Sequence, residues 1–244
     1  MTFGSGRAAV HIEVFSDVVC PWCYIGKRRL EEALSRFDHA DQVRVTYRSF
    51  QLDPSSPDTS ELGLEQMLAA RYGRSIEQAK AMNAQVSAVA AGAGLDFRLD
   101  RARPANTIRA HRLIHYAADH GLANELTERM MRGYFSEGVR VGERADLLRL
   151  AVEVGLDVAG AADVLDSDAY ADDVRADIDL ARQFGATGVP FFVLDRTYGI
   201  SGAQETALFT QVLTTAWSDA QPPIAVGSKG ATCADDSCAV PEQG

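Results

Sequence analysis

Apolar and polar residues alternate through Val10-His11-Ile12-Glu13-Val14, and this period of two predicts a strand over 9–15. The pattern then lengthens. Leu30, Ala33, Leu34 and Phe37 recur at helical spacing, which predicts a helix over 21–37. Val43, Val45 and Tyr47 alternate with Arg44, Thr46 and Arg48, so a second strand runs from 43 to 50. Strand, helix and strand in this order form a β-α-β unit with parallel strands and a right-handed crossover.

Gln51-Leu52-Asp53-Pro54-Ser55-Ser56-Pro57-Asp58 interrupts the regular pattern with two prolines and a polar cluster. Beyond it the chain is rich in Ala, Arg, Glu, Leu and Met, and the spacing predicts helices near 61–72, 75–93, 105–120, 122–135, 143–154, 158–165 and 168–184. Ser60 and Ser75 are candidate N-caps, the latter with Gln78 completing a capping box. Gly73, Gly121 and Gly155 are candidate C-caps. The β pattern returns at Val189-Pro190-Phe191-Phe192-Val193-Leu194, turns at Asp195-Arg196 and continues through 197–200. A helix over 204–217 closes the pattern, with Leu208, Val212, Leu213 and Ala216 on one face. The expected organisation is one discontinuous domain of residues 1–55 and 186–217, an all-helical insertion of residues 56–185, and a flexible tail of residues 218–244. Residues 1–8 read as a loose leader.

The chain has 244 residues, 46% of them hydrophobic, enough for a sizeable core. Its formal net charge of −10 and the lack of a basic stripe argue against nucleic acid as a partner. No apolar run reaches the length of a membrane span, so no membrane partner is expected. The first residues lack the apolar core of a signal peptide, and a cytoplasmic location is expected. Four cysteines are too few for a disulfide-stapled secreted domain and read better as two reactive or metal-binding pairs.

The first pair lies in Phe15-Ser16-Asp17-Val18-Val19-Cys20-Pro21-Trp22-Cys23-Tyr24-Ile25-Gly26. Cys20 falls where the first strand ends and the first helix begins, with Pro21 at the first helical position. The free N–H groups of a helix N-terminus favour an anion, so a Cys20 thiolate is expected to be stabilised. Cys23, one turn inside, is expected to be more shielded. This spacing predicts thiol–disulfide exchange with Cys20 as nucleophile and Cys23 as resolving thiol. The other chemistry open to a C-x-x-C pair is half of a zinc site, which a strand-to-helix setting and a distant second pair disfavour.

Other residues carry narrower expectations. Trp22 either flanks a substrate or covers Cys23. Asp17 reads as a turn or cap carboxylate, or as an acceptor for the Cys23 proton if buried. His111 and His115 lie one helical turn apart and read as a packed or solvated helix face in preference to a metal pair. Asn106 reads as a helix N-cap in preference to a substrate contact. The tail pair Cys233 and Cys238 is a candidate second redox pair. From residue 218 the tail could extend up to about 50 Å at about 3.3 Å per residue. It could thus reach Cys20 and Cys23, or dock on another copy of the chain in a homodimer.

The element order with C-P-x-C after the first strand resembles the α/β thioredoxin fold (β-α-β … β-β-α), and the large helical insertion resembles its DsbA branch. Three separated motifs narrow this: the stretch from Phe15 to Gly26, the stretch Asn106-Thr107-Ile108-Arg109-Ala110-His111-Arg112-Leu113, and Thr187-Gly188-Val189-Pro190-Phe191-Phe192-Val193. Together, over 9–217, they resemble the FrnE-type DsbA-family oxidoreductases. The same superfamily holds 2-hydroxychromene-2-carboxylate isomerase and kappa-class glutathione transferase, which in general carry serine at the position of Cys20.

The resemblance implies a cis bond before Pro190, with Val189 and Pro190 facing the active cysteine and holding a substrate backbone as an added strand. It implies disulfide- or thiol-containing protein or peptide substrates, and no metal or organic cofactor. A glutathione-dependent isomerase or transferase, a peptide-binding chaperone and a zinc-holding protein are the alternatives.

Overall fold

The computed structural model describes residues 9–220 and, in the tail, the backbone of residues 233–234 and 237–238. The expected leader over 1–8 lies outside the described residues. A four-stranded mixed sheet organises the fold, in the order β2-β1-β3-β4. Strand β1 (Val10–Ser16) pairs in parallel with β2 (Val43–Ser49), joined by helix α1 (Pro21–Ser35) as the β-α-β pattern requires. Strand β3 (Phe191–Leu194) runs antiparallel to β1, with Val14 opposite Phe192, and β4 (Tyr198–Ser201) completes a hairpin with Phe192 opposite Ile200. Asp195 and Arg196 form its turn with positive φ, the twist that matches a tight hairpin.

Between β2 and β3 come seven helices: α2 (Leu64–Tyr72), α3 (Ile76–Gly92), α4 (Ile108–Asp119), α5 (Ala123–Arg132), α6 (Arg144–Glu153), α7 (Val158–Asp166) and α8 (Ala171–Gln183). Helix α9 (Thr206–Ala220) closes the described fold. All the expected helices are present, with shifts at their ends. Ser75 caps α3 with Gln78 in the expected capping box. Ser60 does not cap α2. Its hydroxyl accepts from the Leu62 amide, and the helix starts after Gly63. Strand β3 begins at Phe191 and not at Val189, because Pro190 has no N–H to give the sheet. The expected helix over 122–135 ends at Arg132 and widens into a π turn over Gly133–Glu137.

Two large apolar cores share α1. Its first turns give Cys23, Tyr24 and Ile25 to the core of the insertion, packed with Leu113, Met130, Phe135 and Leu147. Its later turns give Leu30 and Ala33 to the core of the sheet, with Ile12, Phe192, Phe209 and Leu213. Helix α8 covers the other sheet face, where Phe15, Ala181 and Val193 meet. At the crossing of α1 and β3, an added Cβ on Gly26 would lie 3.1 Å from Phe192 Cζ and 3.2 Å from Pro190 Cγ. Glycine there lets the helix that carries the cysteines sit against the Pro190 loop.

Candidate active site

Cys20 is the N-cap of α1, in extended conformation, with Pro21 at the first helical position as expected. Its amide donates to the Asp17 carbonyl at 3.0 Å, and its carbonyl accepts from the amides of Cys23 and Tyr24. This tight turn at the end of β1 brings the two cysteines together. Both are thiols, and both are buried, Cys20 at 3% and Cys23 at 2% relative exposure. The expected contrast in shielding is therefore absent from overall exposure. It appears in what each residue borders: Cys20 lines a cavity beside α1, and Cys23 is not among its lining residues.

The Cys20 thiol donates to the Val189 carbonyl at 3.6 Å. The Val189–Pro190 bond is cis. Burial, as the largest cause, pushes the Cys23 thiol well above the ordinary thiol range. The neighbouring Cys20 raises it further, while the Asp17 backbone and the Ser16 hydroxyl pull it down. Trp22 is 41% exposed and stands at the cavity beside Cys20, together with Val189.

Behind the cysteines, the insertion meets Asp17. This carboxylate is buried; its Oδ2 accepts from the Leu52 amide at 2.9 Å and from the Thr107 hydroxyl at 3.4 Å. His111 Nε2 lies 3.4 Å from Asp17 Oδ1, outside hydrogen-bond geometry, and neither atom has another partner. Tyr134, in the π turn, is also buried there. Burial first, and the Asp17 carboxylate second, push its hydroxyl pKa up. His115 faces elsewhere: its Nε2 lies 3.1 Å from Ser49 Oγ and from Asp177 Oδ2. The two histidines thus form no pair, and each serves a different aspartate. Among the described residues, no three His, Cys, Asp or Glu side chains gather as metal ligands would.

Asn106 closes the loop before α4. Its Oδ1 accepts from the Ile108 amide at 2.9 Å, and its Nδ2 donates to the Pro54 and Ser56 carbonyls. This is the capping role expected of it, one residue before the N-cap position itself.

The periodic pattern did not reveal Lys27, fully buried one turn beyond Cys23, with Glu128 Oε2 2.9 Å from its ammonium nitrogen. A lysine on an otherwise buried helix face was the available signal. Of the tail, the backbone pairs antiparallel with Cys233 opposite Cys238, while the side chains and the rest of 221–244 lie outside the described residues.

A mixed sheet with a helical insertion and two adjacent thiols at the first strand–helix junction define a thioredoxin-fold protein of the DsbA type. The chain belongs to the family described as the DSBA-like thioredoxin domain, which matches residues 11–214. It is 44% identical to a crystal structure of a probable DsbA oxidoreductase from Streptomyces coelicolor, with a TM-score of 0.83, covering 96% of this chain and 100% of that one. A protein of Bacillus subtilis, the uncharacterized YwbO, is 29% identical over 206 residues, 84% of this chain and 96% of its own. The fold is also that of the cytosolic disulfide reductase DsbM from Pseudomonas aeruginosa, at 21% identity and a TM-score of 0.59, covering 84% of this chain and 97% of that one. No helix among the described residues is long and apolar enough to cross a membrane.

Proposed function

We propose that the chain is a thiol–disulfide oxidoreductase in which Cys20 attacks and Cys23 resolves. The observation that carries this reading is the asymmetric setting of the two thiols. Cys20 borders a cavity and the Val189 carbonyl, while Cys23 lies behind it with its proton held tightly by burial. In the reductive direction, the Cys20 thiolate attacks one sulfur of a substrate disulfide and expels the other as a thiolate, leaving a mixed disulfide. Cys23 then loses its proton and attacks Cys20 Sγ, releasing the second thiolate and leaving the Cys20–Cys23 disulfide. Two electrons pass to the substrate, and the same steps reversed oxidise a dithiol. Val189 and Pro190 hold the substrate backbone, and Trp22 flanks it.

Cys23→Ser tests the assignment. The variant keeps the first attack and loses the second, so a mixed disulfide at Cys20 accumulates and steady-state turnover falls about a hundredfold or more. Unchanged turnover would favour a glutathione-dependent isomerase, which needs no resolving thiol. Equilibration in thiol–disulfide buffers fixes the direction. A potential near about −120 to −200 mV makes the protein an oxidant or isomerase, and one at or below about −250 mV a reductase. Failure of the pair to form a disulfide overturns the reading.

A further inference from the structure

The cavity beside Cys20 holds about 330 Å³, a size suited to a whole small ligand. Its wall is apolar, built from Val19, Met67, Leu68, Val86, Leu99 and Phe135. Helices α2 and α3 of the insertion roof it, and the active-site turn from Asp17 to Trp22 with Val189 forms its floor. Polar side chains interrupt this wall, and one of them, on α3, lacks a partner. Asn83, on the buried face of α3, is 9% exposed, and its Nδ2 has no hydrogen-bond partner. Asp17 also lines the cavity, but its unpartnered Oδ1 faces His111 Nε2 at 3.4 Å, so Asn83 is the unpartnered group on this wall. Buried amides without partners are uncommon in native proteins and mark places where a further group completes the bonding. The one cationic side chain lining the cavity, Arg71, is paired with Asp53 at 2.8 Å. Among the described residues that line the cavity, no unpaired positive charge awaits a carboxylate or phosphate.

We propose that this cavity binds a neutral, low-molecular-weight disulfide with an apolar body of aromatic size and a carbonyl oxygen for Asn83. Such molecules are a further substrate class of Cys20, beside the peptide disulfides whose backbone Val189 and Pro190 hold. The proposal rests on the exchange chemistry assigned to Cys20 and Cys23. With the body seated under α2 and α3, Cys20 displaces one half of the disulfide as a thiol. Cys23 displaces the other half, and the enzyme is left with the Cys20–Cys23 disulfide. A free monothiol, consumed two molecules at a time and itself oxidised to a disulfide, restores both cysteines.

The test follows oxidation of Cys20 and Cys23, read by thiol labelling and peptide mass so that Cys233 and Cys238 are counted apart, in the reduced full-length protein under excess of four disulfides. These are bis(4-carbamoylbenzyl), dibenzyl and bis(2-hydroxyethyl) disulfide, and a nine-residue peptide with an internal disulfide. Each rate is divided by that of the same disulfide with a free monothiol. The two benzyl compounds are expected to lead by about tenfold or more, as differential burial in an apolar pocket gives. Val86→Trp, which fills the cavity, is expected to lower the ratio of benzyl to hydroxyethyl rates by about tenfold. Asn83→Leu keeps the wall filled and removes the amide. It is expected to lower the ratio of carbamoylbenzyl to benzyl rates about three- to tenfold, the worth of one hydrogen bond. This variant decides the matter where Val86→Trp fails to fold by circular dichroism.

Equal normalised rates for benzyl and hydroxyethyl disulfides overturn the proposal and leave the exchange chemistry standing. So does a leading rate for the peptide that Val86→Trp abolishes, which would make the occupant a peptide side chain. Silence toward all four disulfides overturns the exchange chemistry and this proposal with it.

Discussion

Replacing Glu128 with Gln removes the charge that joins the cysteine-bearing helix to the insertion. Lys27 is 2% exposed on α1, and its ammonium is paired with Glu128 and Glu31. Arg28 forks onto the same Glu128 carboxylate, and the Tyr24 hydroxyl donates to it at 2.6 Å. Burial acts to raise the Glu128 pKa. Arg28, Lys27 and Tyr24 outweigh it and hold the pKa at about 2, against an ordinary 4.5. A depression of that size corresponds to about 3 kcal/mol. Glu128 retains 26% exposure, and solvent screening trims this to about 2 kcal/mol. Glu128→Gln keeps the shape and leaves Lys27 with Glu31 alone, so about 2 kcal/mol is the expected loss at neutral pH. For a chain of this length that lowers Tm by about 4–8 °C.

The pH dependence has a definite sign. The folded-state pKa of Glu128 lies below its unfolded value, so its contribution is complete above about pH 4.5 and fades as the pH falls toward about 2. Thermal melts of the wild type and Glu128→Gln, followed by circular dichroism from neutral pH down to about pH 2.5, measure the gap directly. The gap is expected to be widest above about pH 5 and to narrow steadily below it. A gap under about 2 °C at neutral pH, or one that keeps its full width to the acid end, refutes the reasoning.

In Cys20→Ser, the remaining buried thiol at Cys23 is expected to titrate above 9.0, its ordinary value, because burial is the largest cause of its shift; thiolate absorbance with a midpoint at or below about 8.5 would contradict this. Gly26→Val places a side chain where the Phe192 and Pro190 atoms already stand 3.1 and 3.2 Å from a bare Cβ, and is expected to cost about 1–3 kcal/mol by denaturant unfolding. A stability within about 0.5 kcal/mol of wild type would show that the crossing of α1 and β3 has room to spare. If Cys233 and Cys238, opposite one another along the backbone, form a second redox pair, the double serine variant slows steady-state exchange while single-turnover oxidation of Cys20 and Cys23 persists; unchanged kinetics in both assays removes the tail from the cycle.

The elements that period alone defines were legible, because strands and amphipathic helices bury one face of a repeating pattern. The position of Cys20 at a strand–helix junction followed directly, since Pro21 and the change of period mark the same boundary. The polar partners of the site were not legible. Spacing put His111 and His115 on one helix face and named no partner for either. The fold sets His111 against Asp17 from the end of β1, and His115 against Asp177 of α8. These partners lie 94 and 62 residues apart, and no local pattern encodes their meeting. Asn83 was hidden for the converse reason. In an alanine-rich helix a single asparagine reads as surface, and only the roofing of the cavity by α2 and α3 turns it inward.

This division between legible and hidden residues follows from α1 itself. The helix serves two cores at once. Its later turns lock onto the sheet through Leu30 and Ala33, contacts that the repeating pattern announces. Its first turns, with Cys20, Cys23 and Tyr24, lie against the insertion, whose helices come from a segment with its own independent pattern. The reactive end of α1 is therefore shaped by residues far along the chain: Val189 from the loop before β3, Asn83 from α3, Tyr134 from the π turn and Glu128 from α5. The sheet anchors the later turns of α1, whereas what reaches the thiols is decided across the seam with the insertion. Substitutions on the insertion side, such as Asn83→Leu or Val86→Trp, should accordingly alter which disulfides react. Substitutions on the sheet side, such as Gly26→Val, should alter how firmly α1 is held.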